Sequence, residues 1–102
     1  MEKMFYGLIN LKKINFGNID TSIVENMDSL FYNCSNLTSI DLSEFNTSKV
    51  RTIKNMFYGC SSLKVLNLFK FKINKKVIID DAFQGISSNA KYCINDKGTK
   101  IP

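Results

Sequence analysis

Residues 30–68 read LFYNCSNLTSIDLSEFNTSKVRTIKNMFYGCSSLKVLNL. Within that stretch Phe31-Tyr32 returns as Phe57-Tyr58, Cys34-Ser35 as Cys60-Ser61 and Leu37 as Leu63, each 26 residues later. Working outward, the same step of 26 links Phe5, Phe31, Phe57 and Phe83, while the position after each reads Tyr6, Tyr32, Tyr58 and then Gln84. Further columns keep it: Leu11, Leu37, Leu63; Ile14, Ile40, Leu66, Tyr92; Phe16, Leu42, Leu68, Ile94; Ile19, Phe45, Phe71; Met27, Ile53, Ile79. No insertion or deletion is needed to hold the phase. A fixed period of this length marks stacked supersecondary units, each unable to bury its apolar face alone.

The middle unit is the clearest. In Leu37-Thr-Ser-Ile40-Asp-Leu42-Ser-Glu-Phe45 the apolar positions have the LxxLxLxxF spacing of a leucine-rich-repeat strand segment. Alternation puts Ile40 and Leu42 on one face and Ser39, Asp41 and Ser43 on the other. Asn46-Thr47-Ser48 carries short polar side chains suited to a turn and a helix start. Val50, Ile53, Met56 and Phe57 then follow at the spacing of a short helical stripe. Gly59 falls where a helix C-terminus favours positive φ. The preceding unit offers Ser22-Ile-Val-Glu25 as a capping box. The expected fold class is therefore α/β: a leucine-rich-repeat solenoid with parallel strands on one face and short helices on the convex face, joined by right-handed connections. We expect one repeat domain over 1–102, of about four units, with the first truncated and 95–102 as a C-terminal tail.

The Phe-Tyr-x-Cys-Ser-x-Leu and Phe-Asn-Thr-Ser elements, recurring in fixed phase, resemble the BspA-like leucine-rich-repeat surface proteins. The resemblance covers about residues 4–94 and is closest over 30–68. It implies an exported or surface-attached repeat protein concerned with adhesion and with contacts to protein or glycan, extracellular or at the cell surface, and joined to further repeats of the same parent. It names no ligand. Two units depart from the pattern. The third has Lys72-Ile73-Asn74 where the second has Asn46-Thr47-Ser48, and Lys76 where the second has Val50, which leaves Asn74 to take the cap. The fourth has Asn89 in the leucine column.

Composition narrows the function classes. Apolar content of 44% with 12% aromatics belongs to a folded chain, not to a disordered one. The longest purely aliphatic run is Val77-Ile78-Ile79, so no transmembrane segment is expected, and MEKMFYGLINLKK lacks the apolar core of a signal peptide. Net charge is +5, unevenly spread: residues 1–51 hold five Lys/Arg and six Asp/Glu, residues 52–102 nine and three. A basic half suits nucleic acid, anionic glycans or a membrane surface, or simply a solvated face. Nucleic acid is not expected, because the Lys70, Lys72, Lys75, Lys76 cluster lacks the arginine forks that grip phosphate. The chain has no histidine, which removes Ser-His-Asp and Cys-His arrangements, and it shows no P-loop or GxGxxG pattern. We expect no enzyme and no cofactor.

Cys34 and Cys60 share a column with Leu8 and Ile86, an inward apolar position where free cysteine acts as a small hydrophobe. An oxidised pair in a secreted setting is the alternative. Cys93 falls in the outward strand column, as the more reactive thiol, and three dispersed cysteines make no metal site. Asp80-Asp81 belongs to a solvated helix face. Asn33, Asn36 and Asn46 head N-x-Ser/Thr triplets, glycan acceptors in an exported eukaryotic chain and otherwise by-products of Asn/Ser/Thr-rich turns. The outward residues, Lys13, Asn15, Gly17; Ser39, Asp41, Ser43; Val65, Asn67, Phe69; Lys91, Cys93, Asn95, are polar except in the third unit. Apolar groups on a polar face mark contacts, so Asp41, Val65, Asn67 and Phe69 are the candidate binding site. Shielding of the next coil by Phe69 is the competing reading. The expected function is a non-catalytic binding module contacting protein or glycan through the open sheet face; the alternative is a structural spacer within a longer solenoid.

Overall fold

Alternating apolar and polar residues with β-branched content give three short strands, β1 (Ser39–Asp41), β2 (Val65–Leu68) and β3 (Lys91–Ile94). The computed structural model describes residues 2–4, 6–7, 14, 16 and 19–94. The strands form one parallel sheet in the order β1-β2-β3. Ser39 pairs with Val65 and Val65 with Lys91, Asp41 with Asn67 and Asn67 with Cys93, so the spatial register is the 26-residue step of the sequence. Ile40, Leu42, Leu66 and Leu68 are buried while Asp41 and Val65 are exposed, as the alternation requires.

The core is a set of columns passing from one unit to the next. Phe31, Phe57 and Phe83 stack at ring separations of 5.7 and 5.5 Å. Outside them Tyr6, Tyr32 and Tyr58 stack at 4.6 and 4.9 Å with their rings nearly parallel. Met27 and Ile53, Leu37 and Leu63, Phe45 and Phe71, Cys34 and Cys60 are buried as pairs from adjacent units. The expected inward stripe Val50, Ile53, Met56, Phe57 is buried throughout. Of the proposed column members, Phe5, Leu8 and Leu11 lie outside the described residues.

The expected convex helices do not form: the described residues contain no helix. Residues 27–34 and 53–60 run instead as linked turns in which N–H groups alternate between two kinds of acceptor. Leu30, Tyr32 and Cys34 donate to the carbonyl three residues back, at 3.4, 3.2 and 3.1 Å. Met27, Ser29, Phe31 and Asn33 donate to Thr52, Lys54, Met56 and Tyr58, 25 residues ahead in the next unit, at 2.6–3.0 Å. Ile53, Asn55, Phe57 and Gly59 repeat this towards Ile78, Asp80, Ala82 and Gln84. The turns need a left-handed residue at fixed places, and two columns supply it: Lys3, Ser29, Asn55, Asp81 and Gly7, Asn33, Gly59, Gly85 all have positive φ.

Spacing explains why turns replace helices. Stacked rings hold neighbouring units 4.6–5.7 Å apart on this side, close to the ~4.8 Å between strands. A helix is about 10 Å across with its side chains and does not fit that pitch. The three-residue step of the burial stripe is the step of the turns, because Val50, Met56, Cys60 and Leu63 each close on the carbonyl three residues before.

The helix-start signals take local roles. Asn46 Oδ1 accepts from Ser48 N–H at 3.0 Å, and Asp20 Oδ1 accepts from Ser22 N–H at 2.9 Å, so Ser22 heads no capping box. Thr21 is buried; its Oγ1 accepts from Asn46 N–H at 2.8 Å and donates to Asn46 O at 3.1 Å, tying two units together. In the third unit Asn74 Oδ1 accepts from Lys76 N–H, and Val77 takes the buried place of Val50 while Lys76 turns outward. The slip of one residue is absorbed before Ile78, which pairs with Thr52 in register.

Candidate functional site

Parallel pairing brings Asp41 beside Asn67 and sets Val65 in the neighbouring row, all on the open face of the sheet. Asp41 and Asn67 each close a turn. Asp41 Oδ1 accepts from Ser43 N–H at 2.9 Å and Asn67 Oδ1 accepts from Phe69 N–H at 3.1 Å. Hydrogen bonds from the Ser43 hydroxyl and then its N–H hold the Asp41 carboxyl below the usual carboxylate range. One side-chain oxygen of Asp41 and one of Asn67 are thus used to steer the chain out of its strand. Val65 and Phe69 remain 46% and 44% exposed. Lys13, Asn15, Gly17 and Asn95, expected on the same face, lie outside the described residues.

Phe69 stands past the end of β2, on the wall of an open groove of about 620 Å³ whose lining includes Glu44, Asn46, Ser48, Lys70 and Lys72. A second groove of about 440 Å³ lies between Glu25, Lys49, Arg51, Asn74 and Lys76, and Ser48 lines both. Lys70 Nζ meets Glu44 Oε2, and Arg51 meets Glu25, both at 3.5 Å between exposed side chains. Sequence reasoning missed these grooves because the first is walled by residues of two units and the second by residues of three. Reading the columns Glu44/Lys70 and Glu25/Arg51 across the repeat would have located them.

The thiols fall as expected from their columns. Cys34 and Cys60 are buried, Cys93 is exposed on β3, and the three are not joined in disulfides. Cys60 Sγ–H donates to Phe31 O at 3.3 Å. Burial, with Cys34 nearby, pushes the Cys60 thiol up to about 12. Asp80 and Asp81 are both exposed, on turns instead of a helix, with Asp81 at φ 56° and Asp80 O accepting from Asn55 N–H. Asn33, Asn36 and Asn46 are exposed.

Among the described residues no group of three or more His, Cys, Asp or Glu side chains is arranged to hold a metal ion. No helix among them is long and apolar enough to cross a membrane. No curated protein and no solved structure matches the chain. The family model described as "Mycoplasma protein of unknown function, DUF285" matches residues 1–96, nearly the whole chain with its 26-residue columns, and the protein belongs to that family.

Proposed function

We propose that this chain is a non-catalytic binding module, a segment of a leucine-rich-repeat solenoid of the BspA-like kind, exported or surface-attached, that contacts a protein or glycan through the open face of its sheet. One observation carries the reading: Val65, 46% exposed, stands on the sheet face with Asp41 and Asn67, and Phe69, 44% exposed, follows just past the end of β2. Such apolar groups supply contact area, and an aromatic ring among them acts as an anchor. The sequence resemblance, with its Phe-Asn-Thr-Ser and Phe-Tyr-x-Cys-Ser elements, supports the surface setting. The spacer reading draws on a different observation, the local turns that engage Asp41 and Asn67.

The test begins with the chain applied to a glycan array and to a panel of immobilised extracellular-matrix proteins. Phe69→Ser and Asp41→Ala are then measured against whatever binds, together with thermal stability. Lost binding at unchanged melting temperature is the expected result. Lost stability at unchanged binding returns Phe69 to a shielding role, and silence on both panels favours the spacer.

A further inference from the structure

The two grooves beside the sheet have a charge character that the sheet face lacks. Their walls carry five cations, Lys49, Arg51, Lys70, Lys72 and Lys76, and two acids, Glu25 and Glu44. Each acid is already paired, Glu25 with Arg51 and Glu44 with Lys70. Lys49, Lys72 and Lys76 have no carboxylate within ion-pair distance among the described residues, and all three are exposed. The backbone N–H groups of Lys72 and Lys76 donate to Thr47 Oγ1 and Asn74 Oδ1, which fixes the backbone from which these two side chains extend. Because Ser48 lines both grooves, they adjoin and offer a tract instead of a point site.

We propose that this tract binds a sulfated linear polysaccharide, with Lys49, Lys72 and Lys76 meeting its sulfates and Phe69 lying against the apolar face of a sugar ring. The proposal rests on the reading of the chain as a binding module and names the class of one partner. Charge complementarity carries it: three unpaired cations line adjoining open grooves, along which an anionic chain can settle. Lysine meets sulfate as a point charge, whereas phosphate backbones are gripped best by arginine forks, and the one arginine here is engaged by Glu25. Phe69, half-exposed at the wall of the first groove, supplies the apolar contact that a sugar ring offers and a free inorganic anion lacks.

The experiment is surface plasmon resonance of the 102-residue chain on immobilised heparin. Desulfated heparin, phosphatidylglycerol vesicles and a short DNA duplex serve as competitors. We expect binding that weakens as salt is raised, and that only sulfated heparin competes for. The triple variant Lys49→Ser, Lys72→Ser, Lys76→Ser should lose about tenfold in affinity at physiological ionic strength with its melting temperature unchanged. A control with the same loss of charge elsewhere, Lys54→Ser, Lys64→Ser, Lys91→Ser, should stay within about twofold. Equal losses in both variants, or equal competition by vesicles or duplex, overturn the proposal, as does an absence of heparin binding. Binding of another panel ligand that depends on Asp41 but not on the three lysines leaves the module reading standing while this one falls. No ligand of any kind overturns both.

Discussion

The sheet side and the turn side of each unit bury similar columns but satisfy their backbones differently. On the sheet side β1, β2 and β3 are extended, and ordinary parallel pairing joins each residue to its equivalent 26 positions away. On the turn side only every second N–H crosses to the next unit, and the ones between close locally. That alternation demands left-handed backbone at Ser29, Asn33, Asn55, Gly59, Asp81 and Gly85. The sheet side is therefore sensitive to side-chain volume alone, whereas the turn side is sensitive to volume and to backbone freedom. Because ring stacking keeps the turn side at nearly the strand pitch, the two sides advance together from unit to unit.

The largest expected effects test the feature both sides share. Phe57→Ala removes the middle ring of a three-ring stack and should cost about 3–5 kcal/mol, and Leu42→Ala on the sheet side about 2–5 kcal/mol. Chemical denaturation reads both. An unchanged midpoint in either variant would break the register assigned to that side.

A medium effect should separate the sides. Gly59 has φ +75°, and a Cβ there runs into the Asn33 side chain of the preceding unit. Gly59→Ala should destabilise by about 1–2 kcal/mol. Gly59→Asn should cost less, since asparagine tolerates left-handed backbone and already occupies the equivalent position as Asn33. On the sheet side Ser39→Ala should stay within about 0.5 kcal/mol. If Gly59→Ala is as mild as Ser39→Ala, the turns do not constrain the backbone as described.

The smallest effect is a pH dependence. The folded Cys60 thiol is raised to about 12, so folding disfavours its ionisation. Above the ordinary thiol range the unfolded chain loses a proton that the folded chain keeps, and stability falls as pH rises. By about pH 9.5 the loss should be roughly 1 kcal/mol or less. Denaturation midpoints measured at neutral and alkaline pH should therefore drop more for the natural chain than for Cys60→Val. Parallel slopes would mean that the thiol is not held neutral by its surroundings.

The sequence by itself determined the period, the columns and the strand register. Shape-forced repetition of Phe31/Phe57, Leu37/Leu63 and Ile40/Leu66 leaves only one offset at which apolar faces meet. It also placed Asp41, Val65 and Asn67 on the open face of the sheet and Cys34 and Cys60 inside, since alternation and column membership are local properties, whereas Phe69 follows the end of β2 and lines a groove. It misread the backbone of residues 50–57, because a three-residue burial step suits a short helix and a chain of turns alike. Only the tertiary structure decided between them. Neighbouring units stand 4.6–5.7 Å apart at their stacked rings, and at that distance carbonyls of the next unit capture alternate N–H groups that a helix would keep. The grooves around Lys49, Lys72 and Lys76 were hidden for the same reason: their walls exist only where successive units meet.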